Sequence, residues 1–160
     1  MSAKSLSNGL SLVAYDSECL EKSWTWLNDP EIGELTMTPP FSREDQRGFF
    51  EALPQRTDYT IWGISLDGFG VIGATGLKNQ QGWLAEYWGY IGERQYWAKG
   101  LGKHLIKLVE DKAREFGFRD LYLKVSWSNA RAISLYKATG FVADTTESTG
   151  AYLYMIKRGI

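Results

Sequence analysis

Hydrophobic and polar positions change their period along the chain, and each change marks an element. Leu10–Tyr15 is a short apolar run that predicts a strand. From about Glu18 to Asn28, the residues Leu20, Trp24 and Leu27 share one helix face behind Asp16 or Ser17 as N-cap. Asn28-Asp29-Pro30 ends that helix, because the residue before a proline avoids the α region. Residues 31–41 show no single period, and Pro39-Pro40 breaks the chain. Ser42 then caps a helix with Glu44 and Asp45 in its first turn, running to about Leu53 and stopping before Pro54.

Period two follows. Tyr59–Leu66 is rich in β-branched and aromatic residues and ends on the hairpin signal Asp67-Gly68, with Val71–Leu77 as its partner. Lys78–Gly82 reads as a turn and Trp83–Ile91 as a third strand, which completes an antiparallel meander. In the second half helix and strand alternate. Gly100–Phe116 carries Leu101, Leu105, Leu108, Val109, Ala113 and Phe116 on a helical stripe closed by Gly117. Arg119–Ser126 is a strand, and Asn129 caps a helix through Ala138 that Gly140 ends. Phe141–Thr146 and Ala151–Lys157 are two more strands, joined by a turn at Gly150. Strand, crossover helix and strand imply one parallel pair, so the expectation is a mixed sheet in a single α/β (α+β) domain over residues 1–160.

Composition narrows the chemistry. Lys+Arg 18 against Asp+Glu 19 leaves a net charge of -1, which argues against nucleic acid and acidic membrane as partners. One cysteine, Cys19, and one histidine, His104, exclude an internal disulfide framework and a Cys/His metal cage, so no metal is expected. Any Ser-His-Asp triad would have to use His104. The first sixteen residues lack the apolar core of a signal peptide, and no run approaches the ~18 apolar residues of a membrane span, so a cytoplasmic location is expected. The 17 glycines and the 7 Trp, 9 Tyr and 7 Phe are in surplus; the aromatics either fill the core or wall a concave site.

Two local patterns carry chemistry. Gln95–Lys103 (QYWAKGLGK) follows a strand and opens a helix, where unpaired N–H groups and the helix dipole suit a phosphate, with Lys99 and Lys103 adding charge. It is not a Walker loop, because Trp97 stands where the first glycine belongs and His104 where Ser or Thr belongs. Nor is it a dinucleotide fingerprint, because Leu105 occupies the third glycine position. The second pattern is Asn129-x-x-Ala132-x-x-x-Tyr136-x-x-x-Gly140-Phe141, which sets Asn129 and Tyr136 two turns apart on one helix face. Taken alone, it reads first as an ordinary N-cap and a core aromatic.

Together these residues resemble the GNAT superfamily of acyl-CoA N-acyltransferases. That family's loop reads Q/R-x-x-G-x-G/A, and Trp97-Ala98-Lys99-Gly100-Leu101-Gly102 fits except at its first position. The Tyr-Trp-x-Lys-Gly variant and Trp26-Leu27-Asn28-Asp29-Pro30-Glu31 are similar to the branch of ribosomal-protein N-terminal and amino-sugar acetyltransferases. The resemblance implies a mostly antiparallel sheet of about seven strands, with helices on both faces and a splayed parallel pair at the cofactor cleft. It implies acetyl-CoA as cosubstrate, with its pyrophosphate on Trp97, Ala98, Lys99, Gly100, Leu101, Gly102 and Lys103. Its pantetheine would meet backbone near Tyr90 and Ile91 and the side chain of Asn129. Tyr136 would donate a proton to the leaving thiolate, and Glu86 would be the general base.

The implied reaction is direct transfer of acetyl to a primary amine of a small molecule in a ternary complex, with a nucleotide-linked amino sugar as first choice. Trp24, Tyr87, Trp88 and Trp127 would bind the acceptor, with Trp26 and Tyr59 also available as walls. A protein N-terminus, an antibiotic and a polyamine are the alternative acceptors, although Glu31, Glu34, Glu44 and Asp45 would have to converge to draw a polycation. Non-catalytic rivals are a silent acyl-CoA-binding domain and a nucleotide-binding module. A monomer or homodimer is expected.

Overall fold

The seven strands hydrogen-bond in the order β1-β2-β3-β4-β5-β7-β6. In this computed structural model, which describes residues 3–160, they are β1 (Leu10–Ala14), β2 (Thr60–Leu66), β3 (Gly70–Gln81), β4 (Leu84–Ile91), β5 (Asp120–Ser126), β6 (Val142–Ala143) and β7 (Tyr152–Arg158). The described residues also form α1 (Ala3–Asn8), α2 (Ser17–Leu27), α3 (Pro30–Leu35), α4 (Arg43–Ala52), α5 (Leu101–Glu115) and α6 (Ala130–Ala138). All neighbouring strands run antiparallel except β4 and β5. The mixed, mostly antiparallel sheet is the one the sequence pattern implies.

Strand alternation sends one set of side chains to each layer. On one face Ala85, Tyr87, Leu121, Leu123 and Val125 form the main core with Leu101, Leu105, Ile106 and Val109 of α5. A smaller cluster joins Cys19 and Trp26 of α2, Ile32 of α3 and Val71 of β3. Helix α5 closes as its sequence indicates: Gly117 is left-handed (φ 89) and Phe118 N–H returns to the Ala113 carbonyl at 2.9 Å. No helix among the described residues is long and apolar enough to cross a membrane.

Local chemistry explains where the structure departs from the pattern. Asn28-Asp29-Pro30 ends α2 but also starts α3: the Asp29 side chain accepts from Glu31 and Ile32 N–H, and Pro30 sits in the first turn. Lys78–Gln81 belongs to β3 rather than to a turn, because the register shifts between Lys78 and Gln81 around a left-handed Asn79 (φ 50). The strand expected over Phe141–Thr146 shrinks to Val142–Ala143: Phe141 turns into the core, and the Asp144 side chain captures the Thr146 N–H at 3.0 Å. The buried stripe of α2 is Cys19, Ser23 and Trp26, not Leu20, Trp24 and Leu27. Phe116 is exposed and stacks on Trp62 instead of joining the core. Helix α1 had no counterpart in the sequence reading.

Candidate active site

Strands β4 and β5 pair at only three positions, Leu84↔Asp120, Ala85↔Leu121 and Glu86↔Tyr122. Beyond these they part, and β4 keeps an open edge from Tyr87 to Ile91. The Gly92 N–H to Ile72 carbonyl bond (2.7 Å) sets the β3–β4 alternation. By that alternation Trp88 and Tyr90 turn their backbone groups toward β3, whereas Gly89 and Ile91 turn theirs into the opening. The opening belongs to a cleft of about 950 Å³.

The loop after β4 ends on a bare helix terminus. Gly100, the N-cap of α5, is left-handed (φ 79) and has no side chain to cap the Leu101, Gly102 and Lys103 amides. Ala98 is also left-handed (φ 57). Left-handed residues entering a helix gather successive N–H groups into an anion-binding concavity, and no acidic residue stands in this first turn to oppose one. A Cβ on Gly102 would lie 2.5 Å from Leu135 Cδ2, so glycine lets α5 seat against α6.

Trp97 locks the loop to the strand. Its Nε1 donates to the Ile91 carbonyl at 2.7 Å, and its ring lies near the guanidiniums of Arg94 (5.4 Å) and Arg131 (5.7 Å). Arg94 forms a two-pronged pair with Asp29 (2.6 and 2.8 Å) and also reaches Glu31. Its hydrogen bonds pull the Asp29 carboxyl down to about 2. Trp26 Nε1 donates to Glu93 at 3.3 Å, so the α2–α3 corner is tied to the loop twice.

On α6 the Asn129 side chain accepts the Ala132 N–H at 3.3 Å, as its N-cap position requires. Two turns on, Tyr136 is only 9% exposed and packs edge-on against Tyr87 (6.1 Å) and Phe141 (5.8 Å). Burial pushes its hydroxyl up to about 12. Burial also raises the Tyr87 hydroxyl, which lies beside Thr75, and Thr75 Oγ1 donates to the Trp88 carbonyl at 2.7 Å.

The far end of the cleft is aromatic. Tyr15, Phe49, Tyr59, Trp88 and Tyr90 line it, and Tyr15 and Tyr90 both donate to Ser23 Oγ (2.8 and 3.2 Å). Desolvation holds all three tyrosines in the neutral form, with Tyr15 pushed up to about 12. Asp45 is the one carboxylate lining the cleft among the described residues, against Lys78, Lys99, Lys103 and Lys124.

Most residues singled out in the sequence meet in this cleft. Tyr136, Tyr87, Trp88, Tyr90, Ile91 and Asn129 line it, as does the whole run from Trp97 to Lys103. Three do not. Glu86 lies 4% exposed beside the opening, where its carboxylate accepts from Asn79 Nδ2 (2.9 Å) and pairs with Lys78 (3.7 Å). Trp24 stands behind the lining residue Phe41, with Arg43 stacked on it at 4.2 Å. Trp127 is half exposed and donates to the Thr149 carbonyl at 2.8 Å, bracing the loop after β5. The four glutamates and aspartates considered for a polycation do not converge: Asp45 caps α4, Glu31 holds Arg94, and Glu34 and Glu44 lie outside the main cleft. Sequence reading passed over Tyr15, Ser23 and Phe49; a serine on the buried stripe of α2 was the available signal.

Residues 22–141, well over half of the chain, match the sequence model of the Acetyltransferase (GNAT) family. The chain belongs to that family. It is 38% identical over 65 residues, 40% of this chain, to the spermine/spermidine N(1)-acetyltransferase of Bacillus subtilis. It spans less than half the length of the curated relatives it matches, 29% and 41%. Spermidine N-acetyltransferase from Vibrio cholerae, solved with CoA and spermine, superposes on 95% of this chain and 96% of its own, at a TM-score of 0.84 and 20% identity. Campylobacter jejuni N-acetyltransferase PseH, in complex with acetyl coenzyme A, covers 93% of this GNAT chain and 98% of its own, at 0.72 and 20% identity. At such identities the likeness is one of fold.

Proposed function

We propose that this GNAT protein moves an acetyl group from acetyl-CoA to a primary amine of a small, polar, non-polycationic molecule, with a nucleotide-linked amino sugar as first choice. The observation that carries the reading is the wedge between β4 and β5, with open amide groups on one wall and the uncapped terminus of α5 at its end. The donor set fits: the amides from Ala98 to Lys103 suit a diphosphate, and the open groups of Gly89 and the Ile91 N–H, whose carbonyl Trp97 already holds, suit an amide-bearing arm.

On this reading the chain's residues act mainly by placement. The wedge holds the thioester against the amine, which supplies much of the rate. Tyr136 is neutral at physiological pH and donates to the sulfur as the carbon–sulfur bond breaks, while the amine nitrogen bonds to the acetyl carbon and the proton that nitrogen sheds restores the Tyr136 hydroxyl. The amine must first lose a proton, because an ammonium has no lone pair. Glu86 is the proposed base, and water carries the proton, since the carboxylate sits beside the cleft rather than in it.

Charge decides the acceptor. A polyamine brings several positive charges to walls that offer one carboxylate, Asp45, and several lysines. Aromatic faces with Lys124, which forms no ion pair among the described residues, suit a sugar or nucleobase bearing phosphate. The Bacillus subtilis relative favours spermidine as a second reading. Comparing kcat/KM for nucleotide-linked amino sugars, aminoglycosides and spermidine separates the two. A preference for spermidine overturns the amino-sugar assignment.

A further inference from the structure

Trp97 stands where the family's loop pattern has glutamine or arginine, so the loop has lost a side-chain donor at its head. The indole, fixed by its bond to the Ile91 carbonyl, has Arg94 and Arg131 at 5.4 and 5.7 Å from its ring. The two arginines differ in what else they hold. Arg94 is neutralised by Asp29 and Glu31, whereas Arg131 enters no ion pair among the described residues.

Arg131 lies in the first turn of α6, the end where the helix dipole disfavours a cation, and no acidic residue there offsets it. With Ser134 and Ala138, further along the same helix, it lines the cleft. Opposite stands the first turn of α5, seated against Leu135 through Gly102. An exposed guanidinium that stacks on an aromatic ring, lines the cleft and pairs with no carboxylate among the described residues is placed to take an anion.

We propose that Arg131 recognises a phosphomonoester on the ribose of the donor nucleotide, the group that distinguishes coenzyme A from 3′-dephospho-coenzyme A. The inference rests on the acetyl-CoA reading above. The loop amides and the α5 terminus already answer a diphosphate, and Arg131 belongs to the other helix. A phosphomonoester is largely a dianion at neutral pH and offers oxygens that match the guanidinium fork. Trp97 is then a positioning residue, which holds Arg131 where the missing loop side chain would have supplied a donor.

Calorimetric titration of the full chain with CoA and with 3′-dephospho-CoA tests this. The wild type binds CoA about tenfold tighter, on the order expected of one partly exposed charge-assisted contact. Arg131→Gln reduces the ratio to about twofold or less and leaves dephospho-CoA affinity nearly unchanged, while Arg131→Lys restores part of it. Trp97→Leu erodes the same ratio, which is insensitive to the fraction of folded protein. Equal wild-type affinity for the two ligands overturns the proposal. So does equal weakening of both by Arg131→Gln, which assigns the residue to the diphosphate. If neither ligand binds at all, the acetyl-CoA reading fails and this inference falls with it.

Discussion

Tyr136→Phe removes a single oxygen from a buried ring that rests on Tyr87 and Phe141. Burial holds the hydroxyl at about 12, so it is a neutral donor from pH 6 to 10. An ordinary thiol near 8.5 is the stronger acid by about 3.5 decades, roughly 5 kcal/mol. Full proton transfer to a free thiolate is therefore uphill, and the hydroxyl helps only while charge builds on the sulfur. That places its contribution at the low end of general-acid effects, about 10²-fold in kcat or ~2.7 kcal/mol. Ring packing survives the substitution, so the urea midpoint should correspond to a change within about 1 kcal/mol. Thiol release at saturating acetyl-CoA gives kcat, and calorimetry gives donor affinity. Because the raised pKa keeps the donor form present until pH approaches 12, wild-type kcat shows no Tyr136-dependent fall below pH 10. A fall in kcat of less than threefold, or a loss of donor affinity as large as the loss of kcat, refutes the assignment.

Three further substitutions probe the frame of the cleft. Ala98→Gly relieves a left-handed alanine (φ 57), a cost of about 1–2 kcal/mol only partly offset by glycine's greater unfolded entropy. The melting temperature should rise by about 2 °C, and a fall would contradict the strain argument. Gly89→Ala places a Cβ 2.8 Å from the Tyr87 hydroxyl and 2.9 Å from Thr75 Oγ1; a loss of about 1–3 kcal/mol in urea unfolding and weaker donor binding are expected, and an unchanged midpoint counts against the tight approach. In Arg94→Ala the Asp29 carboxyl should rise from about 2 toward its ordinary range without reaching it, because the Glu31 and Ile32 amides still hold it down, as read by carboxyl NMR. The wild-type pair stabilises the fold above the unfolded pKa and that contribution is lost as pH falls through 2, so the variant should melt below the wild type at neutral pH and converge with it at pH 2, by calorimetry.

Much of this architecture is local and therefore readable in sequence. Asp67-Gly68 sets the hairpin, Gly117 closes α5, and Asn129 caps α6, each through contacts within a few residues. What escaped reading depends on register. Glu86 has the strand phase of Trp88 and Tyr90, yet its carboxylate is claimed across the hairpin by Lys78 and by Asn79 at the bulge. A bulge adds one residue to one strand, and no periodicity in a single strand reveals it. The tryptophans show the same limit. Trp88 lines the cleft and Trp24 stands behind Phe41, although both read as amphipathic aromatics on regular elements. Asp29-Pro30 carries stop and start signals at once, and only the capture of the Glu31 and Ile32 amides shows that the start prevails.

In the proposed function the wedge between β4 and β5 delivers acetyl from acetyl-CoA to a small-molecule amine. Incubating the purified protein with acetyl-CoA, with and without acceptors, and following free thiol while mass spectrometry identifies the product tests it most directly. Acceptor-dependent thiol release, N-acetylated product and faster turnover of a nucleotide-linked amino sugar than of spermidine are expected. Bound acetyl-CoA with no acceptor-dependent thiol release from any amine would contradict it.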